Sequence, residues 1–233
     1  NVPGEHQGFR SLPSDERNLA YRAAVLLGVS GVHIAVRKRI PIAAGMAGGS
    51  TDAAATLKGM NRLFDLGCTL KDLMELGVKI GADVPYCVMG GTALAEGSGE
   101  KLTPLAPAPD CYVLVAKPDI NVSTKYVYEH LDAQEIVKHP DIDGMVEAIA
   151  EESLQGILDR MENVLETVTV SAYPIIQTIK DRMKELGAIN SLMSGSGPTV
   201  FGIFVEKDMA RRAYDKLEEE QLAKQIFLTE FCE

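Results

Sequence analysis

PIAAGMAGGSTDAAA, residues 41–55, is the stretch whose reading decides the fold. It follows a β-branched run at 32–40 and leads into an alanine-rich helical pattern. Three glycines, Gly45, Gly48 and Gly49, therefore lie between a strand and a helix start. Glycine permits close approach and unusual φ values, while the free N–H groups and dipole of a helix N-terminus favour an anion. The stretch reads as a phosphate loop for a nucleoside triphosphate. It is not a Walker A loop, which needs a lysine before the hydroxyl residue; here Gly49 runs directly into Ser50 and Thr51. Nor do the glycines have GxGxxG spacing. A turn that packs a helix tightly onto a strand is the structural alternative. The two hydroxyls weigh against it, because they suit a phosphate oxygen or Mg²⁺.

The 233 residues suffice for one large domain or two small ones. With 46% hydrophobic and 24% charged residues, the composition is that of an ordinary globular protein. A net charge of −10 argues against a nucleic-acid partner, which calls for a basic face, but not against a locally built phosphate site. No apolar run reaches the roughly 20 residues of a membrane span, so no membrane partner is expected. No signal-peptide pattern is visible. Cys68, Cys87, Cys111 and Cys232 are far apart, without a CxxC pair, and read as reduced thiols of a cytoplasmic protein. The opening stretch 1–18 is loop-like and lacks an initiating methionine, as if an N-terminal piece were missing.

Outward from the loop, periodicity gives a helix over 18–27 and a strand over 32–40, joined by a short step, Gly28 to Gly31. Helices follow at 53–64 and 69–80, the latter with Thr69 as N-cap candidate. A turn at 81–85 and short strands at 86–88 and 91–95 come next. The proline-rich TPLAPAP at 103–109 reads as a linker between domains 1–105 and 106–233. Beyond it lie a buried strand at 111–116, helices at 123–131, 145–149, 154–165 and 175–186, and a turn and strand within 191–205. A charged helix at 207–219 and a strand at 225–231 close the chain. The irregular alternation suits two α+β domains better than a doubly wound parallel sheet.

The loop PxxxGxxGGSTxAAA resembles the phosphate loop of the GHMP kinases. A second match is MSGSGPTVF at 193–201, similar to the glycine motif near that family's C-terminus. GADVP at 81–85 is a third. Together with Asn18-Leu19, Val122-Ser123-Thr124 and the stretch 163–166, they look most like the member acting on a cytidine-diphosphate-linked methylerythritol. The resemblance covers essentially the whole chain. It implies a two-domain α+β fold: a nucleotide domain of the ribosomal protein S5 domain 2-like type, its first strands missing here, and a ferredoxin-like C-terminal domain.

The resemblance also implies roles. Asp83 would be the catalytic carboxylate that orients or deprotonates the substrate hydroxyl; a turn or helix cap is the alternative. Pro41, Ile42, Ala43, Ala44, Gly45, Met46 and Ala47 would wrap the ATP phosphates with Gly48, Gly49, Ser50 and Thr51, Ser50 being a candidate Mg²⁺ ligand. Asn18 would contact the adenine region or simply cap its helix. Tyr126 or Tyr128 would stack on the cytosine ring, or else pack in the core. Gly195, Ser196 and Gly197 would approach substrate or phosphates through backbone, against a plain hairpin turn. Met46 and Thr51 replace the family's usual leucine and serine. The AKINL-type lysine segment and DGYH-type cytidine segment do not occur; Lys38 and Lys58 do not match the first, nor His6 and His33 the histidine of the second. Alternatives are a homoserine-type or phosphomevalonate-type kinase, or a non-catalytic nucleotide-binding homologue. The sequence indicates no oligomeric state.

Overall fold

A computed structural model of the chain describes residues 12–131 and 139–231; the loop reading of 1–11, His6 and Cys232 lie outside them. These residues form two units. One ends at Ile42 and resumes over Ala47–Leu105; the other combines Ala43–Met46 with the chain from Ala106 onward.

In the first unit, α1 (Leu19–Leu26) starts where the Asn18 side chain accepts from the Ala20 N–H at 3.0 Å. It ends in a Schellman motif: Gly28, at φ 70°, donates to the Val25 carbonyl, and Val29 donates to that of Ala24. This left-handed stop explains the short step out of the helix. α2 (Gly48–Leu63) begins five residues before its sequence-based start, inside the glycine loop. α3 (Leu70–Val78) opens with a capping box between Thr69 and Asp72. α4 (Val84–Met89) occupies the stretch read as a strand at 86–88. Proline in its first turn and buried Val84 and Val88, four residues apart, make it a helix.

Ala23 on α1 meets Ala53, Ala54 and Leu57 on α2, with Leu73, Val84 and Val88 completing the core. Ala53 and Ala54 thus serve close packing of helix on helix rather than approach to a ligand. Each of the larger side chains contributes about 1.5–3 kcal/mol by leaving water. β1 (Ala93–Glu96) and β2 (Lys101–Pro104) form an antiparallel hairpin with Ala93 opposite Pro104; β2 takes the front of the expected linker.

The expected strand at 32–40 is a correction. Its exposure alternates with period two, Val32, Ile34, Val36, Lys38 and Ile40 being half-buried and the residues between them exposed. Yet the segment joins no ladder among the described residues. Alternation reports which side faces inward; a strand also needs a hydrogen-bonded neighbour.

The second unit holds a four-stranded antiparallel sheet in the order β4-β5-β3-β6. β3 (Tyr112–Lys117) is followed by α5 (Thr124–His130), α6 (Ile142–Ala150), α7 (Leu154–Arg160), α8 (Glu166–Ala172) and α9 (Ile175–Glu185). Then come β4 (Asn190–Met193), β5 (Val200–Phe204), α10 (Lys207–Glu219) and β6 (Gln225–Glu230). The succession β3-α9-β4-β5-α10-β6 is the split βαβ of ferredoxin-like domains. Leu114, Val200 and Phe204 face Ile176, Ile179 and Met183 of α9 and Ala213 and Leu217 of α10. Val113, Val115 and Ile203 face the other way, onto Leu158, with Met46 packed against them.

The helix expected over 154–165 stops at Arg160 and restarts at Glu166. Between them the Asn163 side chain accepts from the Leu165 N–H at 3.0 Å, a local bond that competes with helix. No helix of the described residues is long and apolar enough to cross a membrane.

Candidate active site

The start of α2 is held in an unusual way. Ala47, its N-cap residue, is left-handed at φ 47° and ψ 27°, and no side chain caps the helix. The first intrahelical bond runs from Thr51 N–H to the Ala47 carbonyl at 2.8 Å. The preceding N–H groups of this 16-residue helix are therefore left without a side-chain acceptor, an arrangement suited to an anion. Ser50 is half-buried and Thr51 exposed; the Thr51 hydroxyl donates back to the Ala47 carbonyl at 3.1 Å.

Sequence reasoning missed Lys38. Its ammonium donates to the Gly48 carbonyl at 2.6 Å and pairs with Asp52, the two side chains being 17% and 25% exposed. Lys38 thereby fastens the extended segment to the first turn of α2. A Cβ on Gly48 would meet Lys38 Nζ at 3.0 Å and Ile40 Cγ2 at 2.9 Å, so the helix can approach this closely only without a side chain there. A charged residue on the inward side of the 32–40 alternation was the signal that could have revealed it.

α4 packs against α2 and brings Asp83 to the same region. Asp83 is exposed, precedes α4 and makes no side-chain capping bond, so it does not serve as the helix cap. Four residues on, the Cys87 thiol lies 3.7 Å from the Thr51 hydroxyl. Burial pushes the Cys87 thiol up; the Thr51 hydroxyl opposes this, and the Asp83 charge adds to the rise. Loop hydroxyl, thiol and Asp83 carboxylate thus share one neighbourhood.

The second unit contains the other half of the glycine loop. Pro41 and Ile42 lead into it, Pro41 buried and Ile42 exposed. Ala43 is left-handed at φ 51°, Ala44 is buried, and Gly45 is at φ 66°. The Gly45 carbonyl accepts from the Ser194 hydroxyl at 2.8 Å. A Cβ on Gly45 would overlap the Ser194 carbonyl oxygen and press on that of Gly197. Gly45→Ala is expected to cost about 1–2 kcal/mol from the left-handed φ alone and to weaken ATP binding at least tenfold. Titration calorimetry of the folded variant checks this, and parental affinity would remove Gly45 from the phosphate loop.

Around Ser194 the turn 194–197 closes with Gly197 N–H donating to the Ser194 carbonyl at 2.9 Å. The hydroxyls of Thr124, at the start of α5, and Ser196 lie 2.9 Å apart, which joins two motifs that are remote in sequence. Beside the turn is a cleft of about 950 Å³ whose lining includes Tyr126, His130, Asn163, Glu166 and Lys180. The rings of Tyr126 and His130 lie 4.0 Å apart. Tyr126 lines this cleft; Tyr128 does not and is 61% exposed. Asn18 has both ends of its carboxamide engaged, at the Ala20 N–H and the Pro13 carbonyl.

Among the described residues no cluster of three His, Cys, Asp or Glu could hold a metal ion by itself. Cys68, Cys87 and Cys111 are unpaired thiols.

The family descriptions "GHMP kinases N terminal domain" and "GHMP kinases C terminal" match residues 18–91 and 145–224. The chain belongs to the GHMP kinase family, whose members use ATP as phosphoryl donor. It is 53% identical over 227 residues to a protein of Lachnoclostridium phytofermentans named 4-diphosphocytidyl-2-C-methyl-D-erythritol kinase, covering 95% of this chain and 78% of the relative. A protein of the same name from Caldicellulosiruptor saccharolyticus is 50% identical, with 96% and 78% covered. The crystal structure of a 4-(cytidine 5'-diphospho)-2C-methyl-D-erythritol kinase superposes with a TM-score of 0.77 at 34% identity, over 94% of this chain and 80% of that one. Homoserine kinase from Cytophaga hutchinsonii gives the same TM-score at 22% identity, over 94% and 77%, and shows the shared fold.

Proposed function

We propose that this chain transfers the γ-phosphoryl group of ATP to the 2-hydroxyl of 4-diphosphocytidyl-2-C-methyl-D-erythritol, a step of non-mevalonate isoprenoid precursor synthesis in the cytoplasm. The observation that carries this is the 53% identity, over 95% of the chain, to a kinase named for that substrate. Phosphoryl transfer depends mainly on positioning and on charge stabilisation, and the chain supplies parts suited to both.

The uncapped α2 start, with the backbone of 41–51 around it, would cradle the phosphates. Its N–H groups are fixed before ATP arrives, so they stabilise developing charge without reorganising. Asp83, with no capping bond to break, would accept the proton of the attacking hydroxyl. Tyr126, the better placed of the two tyrosines, would stack on the cytosine from the cleft. Gly195, Ser196 and Gly197 would approach substrate or phosphates by backbone, and Asn18 would flank the adenine region through the helix start that it caps.

Mg²⁺ fits this donor set only as an ion shared with the nucleotide. Asp52 is already paired with Lys38, so the Ser50 hydroxyl is the protein group to join phosphate oxygens and water. When bound, the ion neutralises charge on the triphosphate. The net charge of −10 argues against a nucleic-acid partner.

The test mixes protein and ATP–Mg²⁺ with 4-diphosphocytidyl-2-C-methyl-D-erythritol, homoserine or mevalonate phosphate, and follows ADP release. Selective turnover of the first supports the proposal. Preference for either control transfers the chain to another substrate class, and ATP binding without any turnover marks a non-catalytic homologue.

A further inference from the structure

The glycine turn 194–197 is held from outside by one carboxamide. Asn163 Nδ2 donates to the Met193 carbonyl and to the Gly195 carbonyl, each at 2.8 Å, while its Oδ1 accepts from the Leu165 N–H at 3.0 Å. Every hydrogen-bonding atom of the side chain is in use. Three residues on, Glu166 Oε1 accepts from the Met193 N–H at 2.7 Å and Oε2 pairs with Lys180. With side-chain exposures of 18% and 10%, that pair is shielded enough to fix the carboxylate.

A trans peptide is planar, with C=O and N–H pointing in opposite directions. Tying the Gly195 carbonyl to Asn163 therefore turns the Ser196 N–H away from Asn163. No described residue accepts from that N–H. Two further carbonyls of the turn are engaged: Ser194 by the Gly197 N–H, and Ser196 by the Thr169 hydroxyl at 3.3 Å. With the carbonyls of residues 194–196 bound, the Ser196 N–H is presented as a donor, as in an anion-binding backbone concavity.

We infer that Asn163 is a positioning residue for phosphoryl transfer: braced by the Glu166–Lys180 pair, it sets the Gly195–Ser196 peptide so that the Ser196 N–H faces an anionic oxygen of the bound reactants. This rests on the kinase reading above. Asn163 touches no reacting atom itself, and the ligand class is an anionic phosphoryl oxygen.

The test is Asn163→Asp, which is nearly isosteric, keeps the acceptor for Leu165 and loses both donors. The variant should fold and melt within a few degrees of the parent, yet lose kcat about 10²–10³-fold, the usual effect of removing one preorganised donor, with KM for ATP changed less than threefold. Glu166→Gln, which keeps the acceptor for Met193, should lose far less kcat than Glu166→Ala. Amide exchange of Gly197, read by NMR, should accelerate at least tenfold in Asn163→Asp while β3 and β5 amides keep their protection. Full activity in Asn163→Asp overturns the inference. So does a loss that merely tracks a lowered unfolding midpoint, which would make the residue structural. Should the parent itself turn over no substrate, the kinase reading fails separately. The exchange rates then decide alone: acceleration confined to the turn supports the brace, and unchanged rates refute it.

Discussion

Asp83→Asn is expected to lower kcat by about 10²–10⁴-fold, the range typical for loss of a positioned general base. Asn keeps the size and polarity of Asp83 but cannot take the hydroxyl proton at neutral pH. Stability should change little, because the carboxylate is exposed and forms no capping bond that the substitution could break. ADP release at saturating substrates, with a thermal melt on the same sample, reads both quantities. A folded variant with parental kcat would strip Asp83 of its role. A variant with reduced kcat and a much lower melting point would instead mark Asp83 as structural. The two readings separate because α4 already has its first-turn proline and its buried valines to hold it.

Phe204→Ala is expected to have the largest effect on stability. Phe204 is the largest of the fully buried side chains, at the end of β5 between the sheet and the helices α9 and α10. Truncating a buried phenylalanine typically costs about 3–5 kcal/mol, through lost transfer free energy and the cavity left behind. Against the roughly 5–15 kcal/mol that holds an ordinary domain folded, this is a large share. Guanidinium unfolding followed by a probe in the second unit reads the loss. A shift under about 1 kcal/mol would mean that Phe204 does not lie on this face and that the register of β5 is different. The contrast with Phe201 is a useful control: it points to the opposite face and is only partly buried, so its truncation should cost less.

Much of this was legible in the residues. α10 and β6 could be read within a residue, since a charged helix with one apolar stripe and a β-rich run after a turn leave little choice. The glycine loop stood out by composition, and Thr69 marked a helix start by its capping chemistry. Legibility failed where a partner distant in sequence decides. The 32–40 alternation correctly sorts inward from outward residues, but no pattern within nine residues says what lies beside them. At 86–88 a short apolar run suits strand and helix equally, and Pro85 was the clue for helix. Asn163 breaks a helical pattern with its own side chain, and its bonds to residues some thirty positions away cannot be seen in the local sequence. Lys38 was set aside because it matches no catalytic lysine motif, although its place on the inward side already set it apart.

Chain order and physical partition do not coincide in this protein. Four residues, Ala43–Met46, belong with the chain beyond Ala106, although some sixty residues separate them along the sequence. Met46 fills space beside Val113, Val115 and Leu158, and the Gly45 carbonyl receives the Ser194 hydroxyl. A cut at the proline-rich stretch, the natural place for an engineer to separate two halves, would leave the C-terminal fragment short of an apolar plug and an acceptor that lie upstream. The glycine loop is in that sense divided between the two units. Modular exchange of the halves between relatives has to carry these four residues with the C-terminal half, or choose a donor whose loop already matches it.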